Sequence, residues 1–94
     1  MQRQKLLRKT LSANTNTNFN FDVRGAKFFV KNYTSNIIYV SLGDELTQES
    51  AVKIESGFAQ IVTANDNTSL ENTTNIVTVL SEVGGEVEVQ CLKW

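Results

Sequence analysis

Phe19-Asn20-Phe21-Asp22-Val23 decides the fold, because apolar and polar side chains alternate at every step. A period of two puts one set of side chains against a core and the other in water, as a half-buried β-strand requires. The same alternation returns in Ala26-Lys27-Phe28, in Ile38-Tyr39-Val40-Ser41-Leu42 and in Glu86-Val87-Glu88-Val89-Gln90. No window carries a convincing helical period. Residues 44–51 have room for one helical turn at most, between Gly43 and Ser50.

Outward from these runs, the chain divides at its turn-forming residues. Strands are expected at 19–23, 26–32, 37–42, 50–55, 58–63, 76–81 and 86–92. The chain contains no proline, so Asn, Asp, Ser and Gly must make the turns. Gly84-Gly85 is the strongest hairpin signal, since both glycines take positive φ without steric cost. Ser12-Ala13-Asn14-Thr15-Asn16-Thr17-Asn18 reads as a polar spacer, and 65–75 as a second, longer loop. Residues 1–11 carry Leu6, Leu7 and Leu11 among Arg3, Lys5, Arg8 and Lys9, and read as a short strand or an extended arm.

The expected fold is all-β: an antiparallel β-sandwich, jelly-roll or Ig-like, of seven to eight short strands. Residues 1–18 would form a basic N-terminal arm and polar spacer, and 19–94 a single β-sandwich domain. Alternation assigns Phe19, Phe21, Val23, Phe28, Val30, Ile38, Val40, Leu42, Val52, Ile54, Val62, Val77, Val79, Val87, Val89 and Cys91 to the core. Phe29, Tyr33, Ile37, Tyr39, Leu92 and Trp94 fall outside it and are the interface candidates. A hydrophobic content of 40% is low for a chain of 94 residues, so the core is thin or shared with another subunit.

The composition offers little for catalysis. There is no histidine, and Cys91 is the single cysteine. The commonest general base, the commonest transition-metal ligand and cysteine-rich zinc sites are therefore missing. No phosphate-cradling glycine motif occurs. The remaining carboxylate pairs are Asp44-Glu45, which reads as a turn, and Glu86 with Glu88, which reads as a solvated strand face. No catalytic residue, cofactor or metal is expected.

The net charge of −1 does not indicate a nucleic-acid binder. The basic set Arg3, Lys5, Arg8 and Lys9 reads as a solvated terminus, an arm docking on a neighbouring subunit, or a nucleic-acid contact. It lacks the interleaved aromatics of a stacking platform. No run is long enough to span a bilayer and none resembles a signal peptide. The sequon at Asn32 and those at Asn67 and Asn72 therefore carry no weight.

The run Ala26-Lys27-Phe28-Phe29-Val30-Lys31-Asn32-Tyr33-Thr34-Ser35-Asn36-Ile37-Ile38-Tyr39-Val40-Ser41-Leu42 resembles a pattern in small β proteins from the structural genes of tailed bacteriophages and of prophages of Gram-positive bacteria. Ala51-Val52-Lys53-Ile54-Glu55-Ser56-Gly57 and Gly85-Glu86-Val87-Glu88-Val89-Gln90 are similar to that group as well. The chain departs from it at Glu55, where the pattern has proline. The resemblance covers residues 19–94. It implies a non-catalytic virion component of head or tail, made in the host cytoplasm and present in many symmetric copies. Its partners would be itself and other virion proteins, with no membrane and no small-molecule substrate. The alternative is a carbohydrate- or cell-surface-binding module, with Tyr33, Tyr39 or Trp94 lining a groove.

Overall fold

The computed structural model describes residues 5–44, 46, 51–63 and 73–93. They form eight strands: β1 (Lys5–Leu11), β2 (Thr17–Gly25), β3 (Lys27–Asn32), β4 (Ile38–Leu42), β5 (Val52–Ile54), β6 (Ala59–Thr63), β7 (Thr74–Ser81) and β8 (Gly85–Lys93). Arg3, Glu45, Trp94, the sequons at Asn67 and Asn72, and most of the second polar spacer lie outside the described residues.

The strands make two antiparallel sheets, ordered β1-β8-β3-β6 and β2-β7-β4-β5. First pairs with last, second with seventh, third with sixth and fourth with fifth. This nested pairing is a long hairpin rolled up on itself. It is the eight-stranded jelly roll and not the Ig-like arrangement. Only β4 and β5 are neighbours both in sequence and in a sheet; every other connection crosses from one sheet to the other.

That crossing corrects the reading of Gly84-Gly85. The two glycines do have positive φ, of 76° and 121°, but they do not close a hairpin. β7 and β8 lie in different sheets, and the glycines turn the chain between them. The Ser81 hydroxyl accepts from the N–H groups of Val83 and Gly84, both at 3.2 Å. The β1–β2 loop docks on this arch, with Asn14 N–H donating to the Ser81 carbonyl at 2.7 Å. A Cβ on Gly84 would sit 2.8 Å from the Leu11 carbonyl oxygen, which is backbone and cannot swing aside. Gly84→Ala therefore combines a left-handed backbone with a clash. We expect it to lower the unfolding free energy by about 2 kcal/mol or more in urea titrations.

The alternation reads the core correctly. Every residue it assigns inward is buried, or in the case of Val23, Leu42 and Val52 packed against the core. The reading omits Leu11, which is buried, and Leu7, which packs against the core from the same strand. The stretch 1–18 contributes more than an arm and a spacer. Lys5–Leu11 pairs along its whole length with β8, and Leu11 closes one end of the core. Lys9 lies on the inward side of β1 at the mouth of the sandwich. Its ammonium donates to the Asn18 carbonyl at 2.8 Å and sits 5.5 Å from the centre of the Phe19 ring, so the stem is covered while the charge stays near water.

Asn32 is a polar side chain at the edge of this apolar interior. It is 1% exposed, and its amide ties three segments together. Its Nδ2 donates to the carbonyls of Asn36 at 2.8 Å and Ile54 at 2.9 Å. Its Oδ1 accepts from the Thr34 N–H at 2.8 Å and lies 2.7 Å from the Thr34 hydroxyl. The β3–β4 crossover is thereby fastened to the end of β5. Asn32 is thus enclosed, whatever its sequon suggests.

Candidate interaction surface

The outer face of the sheet β1-β8-β3-β6 carries the chain's charged cluster. Register sets Arg8 opposite Glu88 on one side and Lys31 opposite Glu88 on the other. Arg8 Nη2 donates to Glu88 Oε1 at 2.6 Å, its Nε reaches the same oxygen at 3.2 Å, and Lys31 Nζ lies 3.4 Å from Oε2. Glu88 is not the solvated side chain that alternation predicts: it is 4% exposed, enclosed between two cations on the flanking strands. Glu86, two residues earlier, is exposed. The two carboxylates therefore do not share one environment.

The hydrogen bond from Arg8 holds the Glu88 carboxyl below the usual carboxylate range. Partial desolvation opposes this, and the Lys31 charge adds to the lowering. A depressed pKa contributes stability that is present above the unfolded-state value, near 4.5, and is lost as pH falls through the folded value. Melting temperature is expected to fall as pH drops below about 4.5. Glu88→Gln should lower the melting temperature at pH 7 and flatten that acid limb; an unchanged limb in scanning calorimetry would detach Glu88 from it.

Beside the charged row runs a second one, of three apolar side chains and one glutamine. Leu6 pairs with Gln90, Gln90 with Phe29, and Phe29 with Ile61, so a single line crosses all four strands. Leu6 is 49% exposed and Ile61 51%, while Phe29 is half-buried with the Lys31 ammonium 5.4 Å from its ring centre. Leu92 extends this face at one end. At the other, Tyr33 is 53% exposed with the Arg8 guanidinium 5.6 Å from its ring centre.

The interface candidates divide between the two sheets. Phe29, Tyr33 and Leu92 share the face just described. Tyr39 belongs to the opposite sheet, facing outward between Leu80 and Lys53, and is half-buried. Ile37, just before β4, is also half-buried. Trp94 is outside the described residues. Alternation missed Leu6 and Ile61. Ile61 was recoverable, because it neighbours the inward Val62; Leu6 was not, because the register of 1–11 was open. Phe58, just before β6, is exposed as well.

The outer face of β2-β7-β4-β5 is mixed, with Tyr39 opposite Leu80 and Ile76 opposite Asn20. It carries Asn18 and Asn20 on β2, and Thr78 Oγ1 lies 2.8 Å from Asn18 Oδ1. Among the described residues no three His, Cys, Asp or Glu side chains gather where they could hold a metal ion.

Topology defines a small jelly-roll sandwich. No protein-family model matches the chain, and no curated protein or solved structure does.

Proposed function

We propose that the chain is a non-catalytic structural protein of a bacteriophage virion, a head or tail component that assembles through its sheet edges and its exposed apolar face. The observation that carries this reading is the row from Leu6 to Ile61, which sets Leu6, Phe29 and Ile61 on one outer face around Gln90, with Leu6 and Ile61 about half exposed. Exposed apolar side chains gathered on one face are a feature of protein-contact surfaces. The jelly roll is an architecture used by capsid proteins, though also by lectins, and a fold alone assigns no function. The resemblance of residues 19–94 to phage structural proteins points the same way.

The alternative is a carbohydrate- or cell-surface-binding module. The exposed Tyr33 ring beside Arg8 favours it. Against it, Tyr33 and Tyr39 lie on opposite sheets, so they cannot line one groove.

The deciding experiment is quantitative mass spectrometry on purified particles from the host that carries the gene, with light scattering on the isolated chain. The virion reading expects the chain in particles at high, symmetric copy number and self-association at high concentration. Absence from particles, together with saturable binding to a glycan array that Tyr33→Ala abolishes, would replace it with the alternative.

A further inference from the structure

The two sheets have four edges, and three of them carry devices that discourage pairing with another chain. β1 has Arg8 outward and the charged Lys9 turned inward. β2 carries Asp22 and Arg24 where its register with β7 shifts, between Asn20 and Gly25. β5 is only three residues long and includes Lys53. Charges, inward-pointing lysines, irregular register and short length are the usual protections of an exposed edge.

β6 has none of these. Ala59-Gln60-Ile61-Val62-Thr63 carries no charge, and its register with β3 is regular throughout. The hydrogen bonds fix which backbone groups point away. Asn32 N–H donates to the Phe58 carbonyl at 3.0 Å, and on the other side of β3 Tyr33 N–H donates to the Glu86 carbonyl at 3.0 Å. Bonded and non-bonded pairs alternate along an antiparallel ladder. Phe58, Gln60 and Val62 therefore turn their backbone groups toward β3. Ala59, Ile61 and Thr63 turn theirs to the open side, where no described strand pairs with them.

We propose that β6 pairs antiparallel with β6 of a second copy of this chain, across a two-fold axis at Ile61. In that register Ile61 meets its own counterpart and Ala59 meets Thr63. The outward N–H and C=O groups of all three residues then find partners, which is the self-complementarity that a two-fold contact demands. The pairing also carries that row onward. Ile61 lies on the same face as Phe29, so the rows of the two copies join end to end across the axis. On the other face, Gln60 comes to lie against the partner's Val62.

This rests on the premise, taken from the proposed function, that the chain self-associates, and it adds which edge does so. A ladder of five residues is small beside standard protein interfaces, so the contact is expected to be weak in isolation and strengthened by repetition in an assembly.

The test is sedimentation velocity of the full chain from 10 µM to 1 mM (both about, chosen to bracket weak association), with residue-resolved amide exchange at both ends of the range. The pairing predicts that the amides of Ala59, Ile61 and Thr63 become protected as concentration rises. Ile61→Lys sets two ammonium groups directly opposite each other and should weaken association at least tenfold, with the monomer's melting temperature little changed. Thr63→Lys, off the axis, should weaken it less. A chain that associates with those three amides unprotected, or undisturbed by Ile61→Lys, overturns the pairing and leaves the assembly reading standing. A chain that pairs through β6 yet is absent from particles ends the virion reading and keeps the pairing. A wild-type chain that is monomeric throughout overturns the pairing.

Discussion

Asn32→Leu is expected to lower the unfolding free energy by about 4 kcal/mol, although leucine has nearly the same size and is far more apolar. The side chain is enclosed, so hydrophobicity alone would predict a gain. What decides the sign is the partners left behind. The Asn36 carbonyl keeps the Thr34 hydroxyl 2.8 Å away. The Thr34 N–H and the Ile54 carbonyl lose their side-chain partner, and a buried group left unmatched costs about 1–3 kcal/mol. A domain of this size has roughly 5–14 kcal/mol in all, so the loss is a large fraction. Asn32→Asp separates hydrogen bonding from shape. It would aim a carboxylate oxygen at two carbonyls, and protonation would restore one donor. Relative to wild type at the same pH, the Asp variant should therefore recover stability as pH falls from 7 to 4 (both about). Urea midpoints at the two pH values read both effects; a Leu variant as stable as wild type would remove the amide's role.

Phe28→Ala is expected to cost about 4 kcal/mol. Phe28 is fully buried on β3, a central strand of its sheet. Its ring centre lies 5.5 Å from that of Phe21 on β2, tilted at 43°, so the pair bridges the two sheets. Truncation forfeits the buried ring and leaves a cavity that strands held by ladders on both sides cannot close. Phe28→Leu refills most of it and should cost less than about 1.5 kcal/mol. Denaturant midpoints with unchanged slopes would attribute both losses to the folded state. A near-neutral Phe28→Ala would mean that the sheets move together to fill the space.

Strand positions and inward faces were legible in the sequence because alternation is a local property. Phe19, Phe28, Val40, Val79 and Val89 report their own orientation through their immediate neighbours. Pairing was not legible. Nothing near Arg8 announces that Glu88 is its partner, eighty positions along the chain. The same distance hid the burial of Glu88, since a charged residue on an alternating strand looks solvated until the flanking cations are placed. Gly84 and Gly85 were read as a hairpin, and only their positive φ held, because a reversal between sheets and one within a sheet ask for the same backbone. Asn32 looked like an ordinary polar residue at a strand end, because its acceptors belong to a different turn and to β5. Of the surface, Ile61 was missed although its neighbour Val62 was read as inward, and the lack of protection on β6 emerged only when all four edges were known.

The placement of β8 between β1 and β3 has a consequence for biosynthesis. β8 is a central strand of its sheet, yet it leaves the ribosome after every other described strand. Until it arrives, β1 has no neighbour to bond, and one side of β3 lacks its ladder. Closing a loop of that length is slow compared with forming local contacts. The ladders to β1 and β3 therefore form only after β8 is made, while β2-β7-β4-β5 and the β3–β6 pair do not depend on it.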